Sequence, residues 1–308
     1  MGYVEFCLMW EQLLKLVTTG DAKALSRCIS LIESESEGYE NLLRSLPVSN
    51  KALIIGITGA PGTGKSTLTD SLIGELIADD KKLGVLCVDP SSPFNLGALL
   101  GDRIRMSDWY NHSNVFIRSL ATRGSLGGLH PKTIEITELM KAAGFDIIII
   151  ETVGVGQSEI EIAGLADVTV VVLTPGAGDD IQTMKSGLME IADIFVVNKS
   201  DHPGADILVK NLRSILNPGH PTTEALPVLK TIASQKQGIA ELKEEILQHT
   251  MSVNKEKKYW LLTEKVFQLI QKDRMKDIDK NLLKERIMRD GLTDFNLYQF
   301  VNSFTEPI

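Results

Sequence analysis

Cysteine is scarce in this 308-residue chain: Cys7, Cys28 and Cys87 are odd in number, far apart and never arranged as CxxC. That spacing offers neither a disulfide framework nor a tetrahedral zinc site, and the simplest reading is three small buried apolar residues. Histidine is nearly as sparse. His112, His130, His202, His220 and His249 show no HxxxH or HExxH spacing, which argues against a histidine-ligated metal. No apolar run, Ile147 to Ile150 and Val168 to Leu173 included, approaches the roughly 20 residues of a bilayer-crossing helix, so no membrane partner is expected. Positive charge is in deficit, with 32 Lys and Arg against 40 Asp and Glu and a net charge of −8, so nucleic acid is not an expected partner either. The first ten residues, MGYVEFCLMW, contain no basic residue, and Phe6 stands where a myristoylation signal shows Ser or Thr. With no targeting segment legible, the cytoplasm is the expected compartment.

What is present belongs to the α/β class. Hydrophobic residues make up 43% and charged residues 23%, enough for a large core and incompatible with wholesale disorder. Between residues 48 and 250, β-branched runs alternate with helical patterns, the signature of a mostly parallel sheet covered by helices. The expected strands are Ala52 to Thr58, Gly84 to Asp89, Val115 to Arg118, Asp146 to Thr152, Val168 to Thr174, Asp193 to Asn198 and Pro227 to Thr231. Lys65 to Asp79 puts Leu68, Leu72, Ile73, Leu76 and Ile77 on one helical stripe that should pack on the sheet. Residues 1–47 read as two or three short helices capping the sheet, broken at Gly20-Asp21 and Gly38 and closed by Pro47. Residues 251–308 read as a helical tail. Its stripe of Tyr259, Leu262, Val266, Leu269 and Ile270 must fold back or meet a second subunit, and the tail is therefore a candidate dimerisation arm.

Gly59-Ala60-Pro61-Gly62-Thr63-Gly64-Lys65-Ser66 satisfies GxxxxGK[ST] between an expected strand and an expected helix. The fold class is then that of P-loop nucleotide hydrolases. The glycines let the backbone approach phosphates, the helix N-terminus adds positive potential, Lys65 reaches the β- and γ-oxygens, and Ser66 coordinates Mg²⁺, with Thr67 beside it. The bland alternative is a Gly-rich strand-to-helix turn. A lysine at the positive end of a helix is unfavourable unless an anion sits there, which favours the phosphate reading.

Asn198-Lys199-Ser200-Asp201 ends a later strand as NKxD. Asp201 can accept from guanine N1–H and the 2-amino group, Asn198 can meet the purine edge, and the Lys199 stem can cover the ring. Adenine would leave the carboxylate unpaired. The alternative here is a turn in which Asp201 caps a helix. The loop Thr231-Ile232-Ala233-Ser234 follows the next strand, and the backbone of Ile232 and Ala233 is expected near the guanine oxygen. Ile232 departs from the usual Ser or Cys of guanine-binding loops.

Two acids, Asp89 and Glu151, terminate apolar strands where a carboxylate can hold Mg²⁺ directly or through water. Glu151-Thr152-Val153-Gly154 resembles the DxxG element of GTPases, with Gly154 offering its N–H to the γ-phosphate and the following residues forming a switch candidate. Hydrolysis also needs a cation or a water-orienting group. Asp102, Arg103, Arg118, Arg123, Gln182 and Lys185 are open candidates, the charged ones equally able to form a surface ion pair and Gln182 an ordinary surface hydrogen bond.

LCVDPSSPFNLGALLGDRIRM (86–106), IRSLATRGSLGGL (117–129), ETVGVGQSE (151–159) and PGAGDDIQTMKSG (175–187), joined to the P-loop and NKSD, resemble the methylmalonyl-CoA mutase-associated GTPases. These form the MeaB/ArgK group of the SIMIBI class. The resemblance runs from about residue 10 to 250. It implies a homodimeric GTPase with low intrinsic turnover that escorts an adenosylcobalamin-dependent acyl-CoA mutase, using Mg²⁺ with GTP or GDP and binding no B12 itself. It further implies that Asp89, Asp102 and Glu151 serve Mg²⁺ or the γ-phosphate, and that Gln182 and Lys185 lie in a switch through which the mutase stimulates hydrolysis. Asn95-Leu96, Ser125 and Ile232 depart from the family's usual residues. A kinase of ArgK type and a metal-insertion GTPase are the alternative functions.

Overall fold

A computed structural model describes residues 3–48, 52–89, 106–121, 129–152, 158–176, 188–216, 226–249, 255–276, 278–290 and 295–305. The chain falls into two units, Met1–Tyr259 and Trp260–Ile308.

The first unit is built on seven strands: β1 (Leu53–Thr58), β2 (Leu83–Asp89), β3 (Val115–Ala121), β4 (Ile147–Glu151), β5 (Val168–Leu173), β6 (Ile194–Val197) and β7 (Val228–Lys230). They form one sheet in the order β3-β2-β4-β1-β5-β6-β7, with every pair parallel. Each run expected from β-branched patterning is a strand, and most ends move inward by a residue because flanking positions leave the ladder. β3 instead runs on to Ala121, in register with Asp89 of β2. Strands β4 and β5 are buried at every position, as required of a sheet covered on both faces.

One face carries α4 (Lys65–Ile77) and α9 (Ile239–His249). Leu68, Leu72, Ile73 and Leu76 of α4 pack with Ile55, Ile57, Val85, Ile149 and Val170 of the sheet and with Leu242 and Ile246 of α9. The expected stripe is the buried one, with Ile77 at its margin. The other face carries α5 (Thr133–Ala142), α6 (Ser158–Leu165), α7 (Leu188–Ile191) and α8 (Ala205–Leu216). A Cβ at Gly84 would lie 2.1 Å from Met140 Cε, and one at Gly56 would lie 2.8 Å from Ile162 Cγ1, so both helices approach the sheet over glycine.

Helices α1 (Tyr3–Thr18), α2 (Ala22–Glu33) and α3 (Tyr39–Arg44) precede the sheet, with breaks where Gly20-Asp21 and Gly38 predicted them. Asp21 caps α2 by accepting from Ala24 N at 2.7 Å. These helices are stitched to the β3 edge by charge. Arg118 of β3 donates to Glu33 (2.5 Å) and Ser30 (2.9 Å), so this candidate cation for catalysis is instead a buried-side anchor for α2. Lys132, only 5% exposed, meets Tyr39 Oη and Glu35, both at 3.1 Å.

The second unit holds most of α10 (Lys255–Arg274), together with α11 (Lys280–Asp290) and α12 (Leu297–Thr305). Within it the rings of Phe295 and Phe300 meet at a tilt, 5.4 Å between centroids, and Arg286 lies over the Phe300 ring. Among the described residues, no helix is long and apolar enough to cross a membrane.

A short 3₁₀ turn, Ser107–Trp109, returns the chain to α4, where Trp109 Nε1–H donates to Asp70 at 2.7 Å. Burial pushes the Asp70 carboxyl above its ordinary value against the pull of that bond, with Asp108 adding to the rise. A carboxyl raised in the folded state stabilises fully only below its unfolded value of about 3.9, and that contribution is lost as pH rises through the folded value. At pH 7, above its unfolded value, Asp70 therefore subtracts from stability. Asp70→Asn keeps an acceptor for Trp109 and removes the charge. Its urea midpoint is expected above that of the parent at pH 7, with the gap closing as pH falls toward about 4; an equal or lower midpoint at pH 7 refutes this account.

Candidate functional site

The ligand-facing edge of an open parallel sheet lies at the carboxyl ends of its strands, beside the point where strand order reverses. Here β1 occupies that point, between β4 and β5. The loop leaving it, 59–64, enters α4 directly, and Gly59, Gly62 and Gly64 all have positive φ. A Cβ at Gly59 would lie 2.1 Å from the Val172 carbonyl oxygen of β5, so the loop can pass over that strand only as glycine. Pro61 and Gly62 form an exposed tip, Ala60, Ser66 and Thr67 are half-buried, and Thr63 is turned in, its hydroxyl donating to Ala60 O at 2.9 Å.

Lys65 is the first residue of α4 and only 7% exposed. Its ammonium donates to the carbonyls of Gly59 (2.8 Å) and Ala60 (3.0 Å), so the charge is held inside the curl of the loop. A cation there opposes the helix dipole, and the carbonyls supply the negative potential that holds it.

Beneath the loop, Ser66 Oγ donates to Glu151 Oε1 at 2.6 Å, and Thr69 Oγ1 lies 2.9 Å from Oε2 and 3.0 Å from the Lys65 carbonyl. Glu151 ends β4 and is 5% exposed. Two hydroxyls one turn apart on α4 thus grip the two oxygens of one buried carboxylate. Thr69 was not among the residues expected from sequence; its only signal was its place four residues after Lys65, on the helix face turned toward the sheet. The set is one of hard oxygen donors, which suits Mg²⁺. In the same sheet Cys87 of β2 is in register with Glu151, and Asp89 ends that strand two residues on, at the same edge. Asp102, Gly154, Gln182 and Lys185 lie outside the described residues, as do Arg103, Arg123, Asn95, Leu96 and Ser125.

The second half of the site is organised by Asn198, 2% exposed. Its Nδ2 donates to the Thr63 carbonyl at 2.9 Å, and its Oδ1 accepts from Thr231 Oγ1 and Ala233 N, both at 3.1 Å. The amide expected at the purine edge is therefore mostly engaged in joining the phosphate loop to the loop after β7. Lys199, in the left-handed region at φ 54°, extends to the Gly62 carbonyl at 2.9 Å. Asp201 is exposed and accepts no hydrogen bond among the described residues. The following helix, α8, starts at Ala205, so Asp201 is not its cap. Ile232 N–H donates to Gln237 O and Ala233 N–H to Asn198, so both amides expected to face the guanine oxygen are engaged within the protein.

Gly64 is where the two halves meet. A Cβ there would sit 2.5 Å from Asn198 Nδ2, whereas one at Gly62 meets nothing within 4 Å. Both positions have φ near +85° and so share a strain of about 1 kcal/mol in an alanine variant. Gly64→Ala is expected to lose a further ~1–3 kcal/mol by displacing the Asn198 amide from Thr63. Urea denaturation of the two variants measures the difference, and equal midpoints would remove Asn198 as the joint.

A family model described as Methylmalonyl Co-A mutase-associated GTPase MeaB matches residues 25–290. A Pyrococcus abyssi protein with a provisional GTPase name is 47% identical over 246 residues, covering 78% of this chain and 76% of that one. The fused isobutyryl-CoA mutase of Geobacillus kaustophilus is 36% identical over 237 residues, which are 72% of this chain and 22% of that protein. Among solved structures, an LAO/AO transport system kinase superposes with a TM-score of 0.68 at 25% identity, covering 96% of each chain.

Proposed function

Because the chain belongs to the MeaB family of methylmalonyl-CoA mutase-associated GTPases, we propose that its GTP hydrolysis serves an adenosylcobalamin-dependent acyl-CoA mutase, gating the loading and protection of that enzyme's cofactor. The observation that carries the nucleotide site is the Asn198 amide. It ties the phosphate loop to the loop after β7 in one frame, with the Asp201 carboxylate exposed beside it. In that frame the triphosphate lies along residues 59–67, and Lys65 exchanges the Gly59 and Ala60 carbonyls for phosphate oxygens. Ser66 and Glu151 hold Mg²⁺, with Asp89 and Asp102 as further acids. The metal would neutralise charge on the β- and γ-phosphates. Gly154 contributes an N–H to the γ-phosphate, and Asp201 pairs with the guanine N1–H and 2-amino group. Gln182 and Lys185 belong to the switch that the partner acts on.

A mutase partner is supported by the Geobacillus protein, in which a relative of this chain is part of the same polypeptide as an isobutyryl-CoA mutase. Fusion raises the effective concentration of two modules that work together. The expected reaction is GTP plus water giving GDP and phosphate, slow alone and faster with the mutase. Phosphate release from GTP and from ATP, with and without methylmalonyl-, isobutyryl- or ethylmalonyl-CoA mutase, tests this; ATP preference, or indifference to all three enzymes, overturns it. Lys65→Ala is expected to abolish nucleotide binding or turnover. Asp201→Asn is expected to lower GTP-over-ATP selectivity at least about tenfold with little loss of stability. The name of the solved relative, a transport system kinase, motivates a second reading in which the γ-phosphate passes to an acceptor. Labelled phosphate appearing on an added acceptor would favour it, and free phosphate alone counts against it.

The tail supports self-association. Trp260 is 58% exposed, Phe267 55% and Tyr298 80%, a density of large apolar side chains that solvent does not favour. We place a second copy of the chain on this surface. Sedimentation of the full chain at micromolar concentration should give a dimer that Trp260→Glu with Phe267→Glu converts to monomer; a monomeric parent overturns the assignment.

A further inference from the structure

The loop that follows β7 is closed on itself. Ile232 and Gln237 form an antiparallel bridge, with Ile232 N–H donating to Gln237 O at 3.1 Å and Gln237 N–H to Ile232 O at 3.3 Å. Ala233 N–H is held by Asn198 Oδ1. The next amide along the loop is that of Ser234, an exposed residue, and no acceptor among the described residues takes its N–H.

Ser71 lies on the inner side of α4 and is 4% exposed. A buried serine in a helix ordinarily bonds the carbonyl one turn earlier. Ser71 Oγ instead donates across 162 positions of sequence to the Ala233 carbonyl at 2.7 Å. Lys236 N–H adds a second bond to the same oxygen at 3.1 Å. The Ala233 C=O and the Ser234 N–H are the two ends of one planar trans peptide and point in opposite directions. Anchoring the carbonyl on α4 turns the N–H away from that helix, and loading the carbonyl with donors polarises the N–H further. The loop carrying Asp201 is tied alongside, through Ser200 N–H to the Thr231 carbonyl at 3.0 Å.

We propose that Ser71 is a positioning residue for purine recognition, aiming the Ser234 N–H at the 6-oxo oxygen of a guanine whose other edge pairs with Asp201. The proposal rests on the guanine-nucleotide reading above. It also gives that reading a second source of selectivity, because the 6-amino group of adenine would present a donor to a donor.

The test compares GDP with 6-thio-GDP, which keeps the N1–H and 2-amino group and replaces the 6-oxygen by the weaker acceptor sulfur. Affinities are measured by calorimetry for the full chain and for Ser71→Ala, Ser71→Cys and Ser71→Thr. Removing the hydroxyl in the Ala variant is expected to weaken GDP about three- to tenfold while 6-thio-GDP changes little, so the preference between them collapses. The Cys variant, similar in volume and a weak donor, should move the same way, and the Thr variant, which keeps a hydroxyl, should retain the preference. Should Ser71→Ala not fold, the Cys and Thr pair decides. Equal weakening of both nucleotides shows a merely structural serine and overturns the proposal, as does an unchanged preference. A parent chain that binds GDP no better than ADP overturns the guanine reading itself.

Discussion

A buried carboxamide has two oxygen lone pairs and two N–H groups to satisfy, and in this protein Asn198 directs three of those four capacities at two loops more than 100 residues apart in sequence. The distances between the phosphate loop and the loop after β7 follow from that one side chain, because each partner left without it would be a buried polar group with no compensation. Gly64 is the complementary constraint, since only a residue without a Cβ leaves room for the amide. The two loops are thereby held at a fixed separation on a rigid sheet edge, as the proposed nucleotide site requires of its phosphate and base ends.

The phosphate end is built with the same economy. α4 supplies its N-terminus, Lys65 as its first residue, and Ser66 and Thr69 as two hydroxyls meeting one carboxylate from β4. The apolar residues of α4 pack on the sheet core in the same few turns, so the position of the hydroxyls is set by burial of Leu68 and Leu72. Glu151 in turn is fixed because β4 is buried at every position and paired on both sides. The placement of these groups is a by-product of core packing, which explains how a short strand can hold a carboxylate in place without a dedicated scaffold.

Charge is used differently at the β3 edge. Arg118 and Lys132 bind Glu33, Glu35 and Tyr39 and fasten the N-terminal helices to the α/β body. As Arg118 precedes Arg123 by a few residues in sequence, a reading by proximity to motifs assigned it to catalysis as readily as to structure. Its neighbours in space decide for structure, since both acceptors come from α2, 85 and 88 positions away.

Motifs whose residues are close in sequence were legible without coordinates. The GxxxxGK[ST] loop, the NKxD tetrad, the seven β-branched runs and the stripe of α4 each depend on backbone geometry or periodicity over fewer than about 15 residues. The breaks at Gly20-Asp21 and Gly38 and the helical character of the tail were legible for the same reason. The strand order, the grip of Thr69 on Glu151, the joining role of Asn198, the reach of Ser71 to Ala233 and the anchoring by Arg118 were not. Each depends on which distant segments share a sheet edge, and a threonine or serine carries no local mark of the partner that folding will bring to it. Sequence by itself determined the chemical kinds of the groups at this site and their place on strands and helices; tertiary structure decided which of them touch, because packing the two faces of the sheet is what brings those groups within hydrogen-bonding distance.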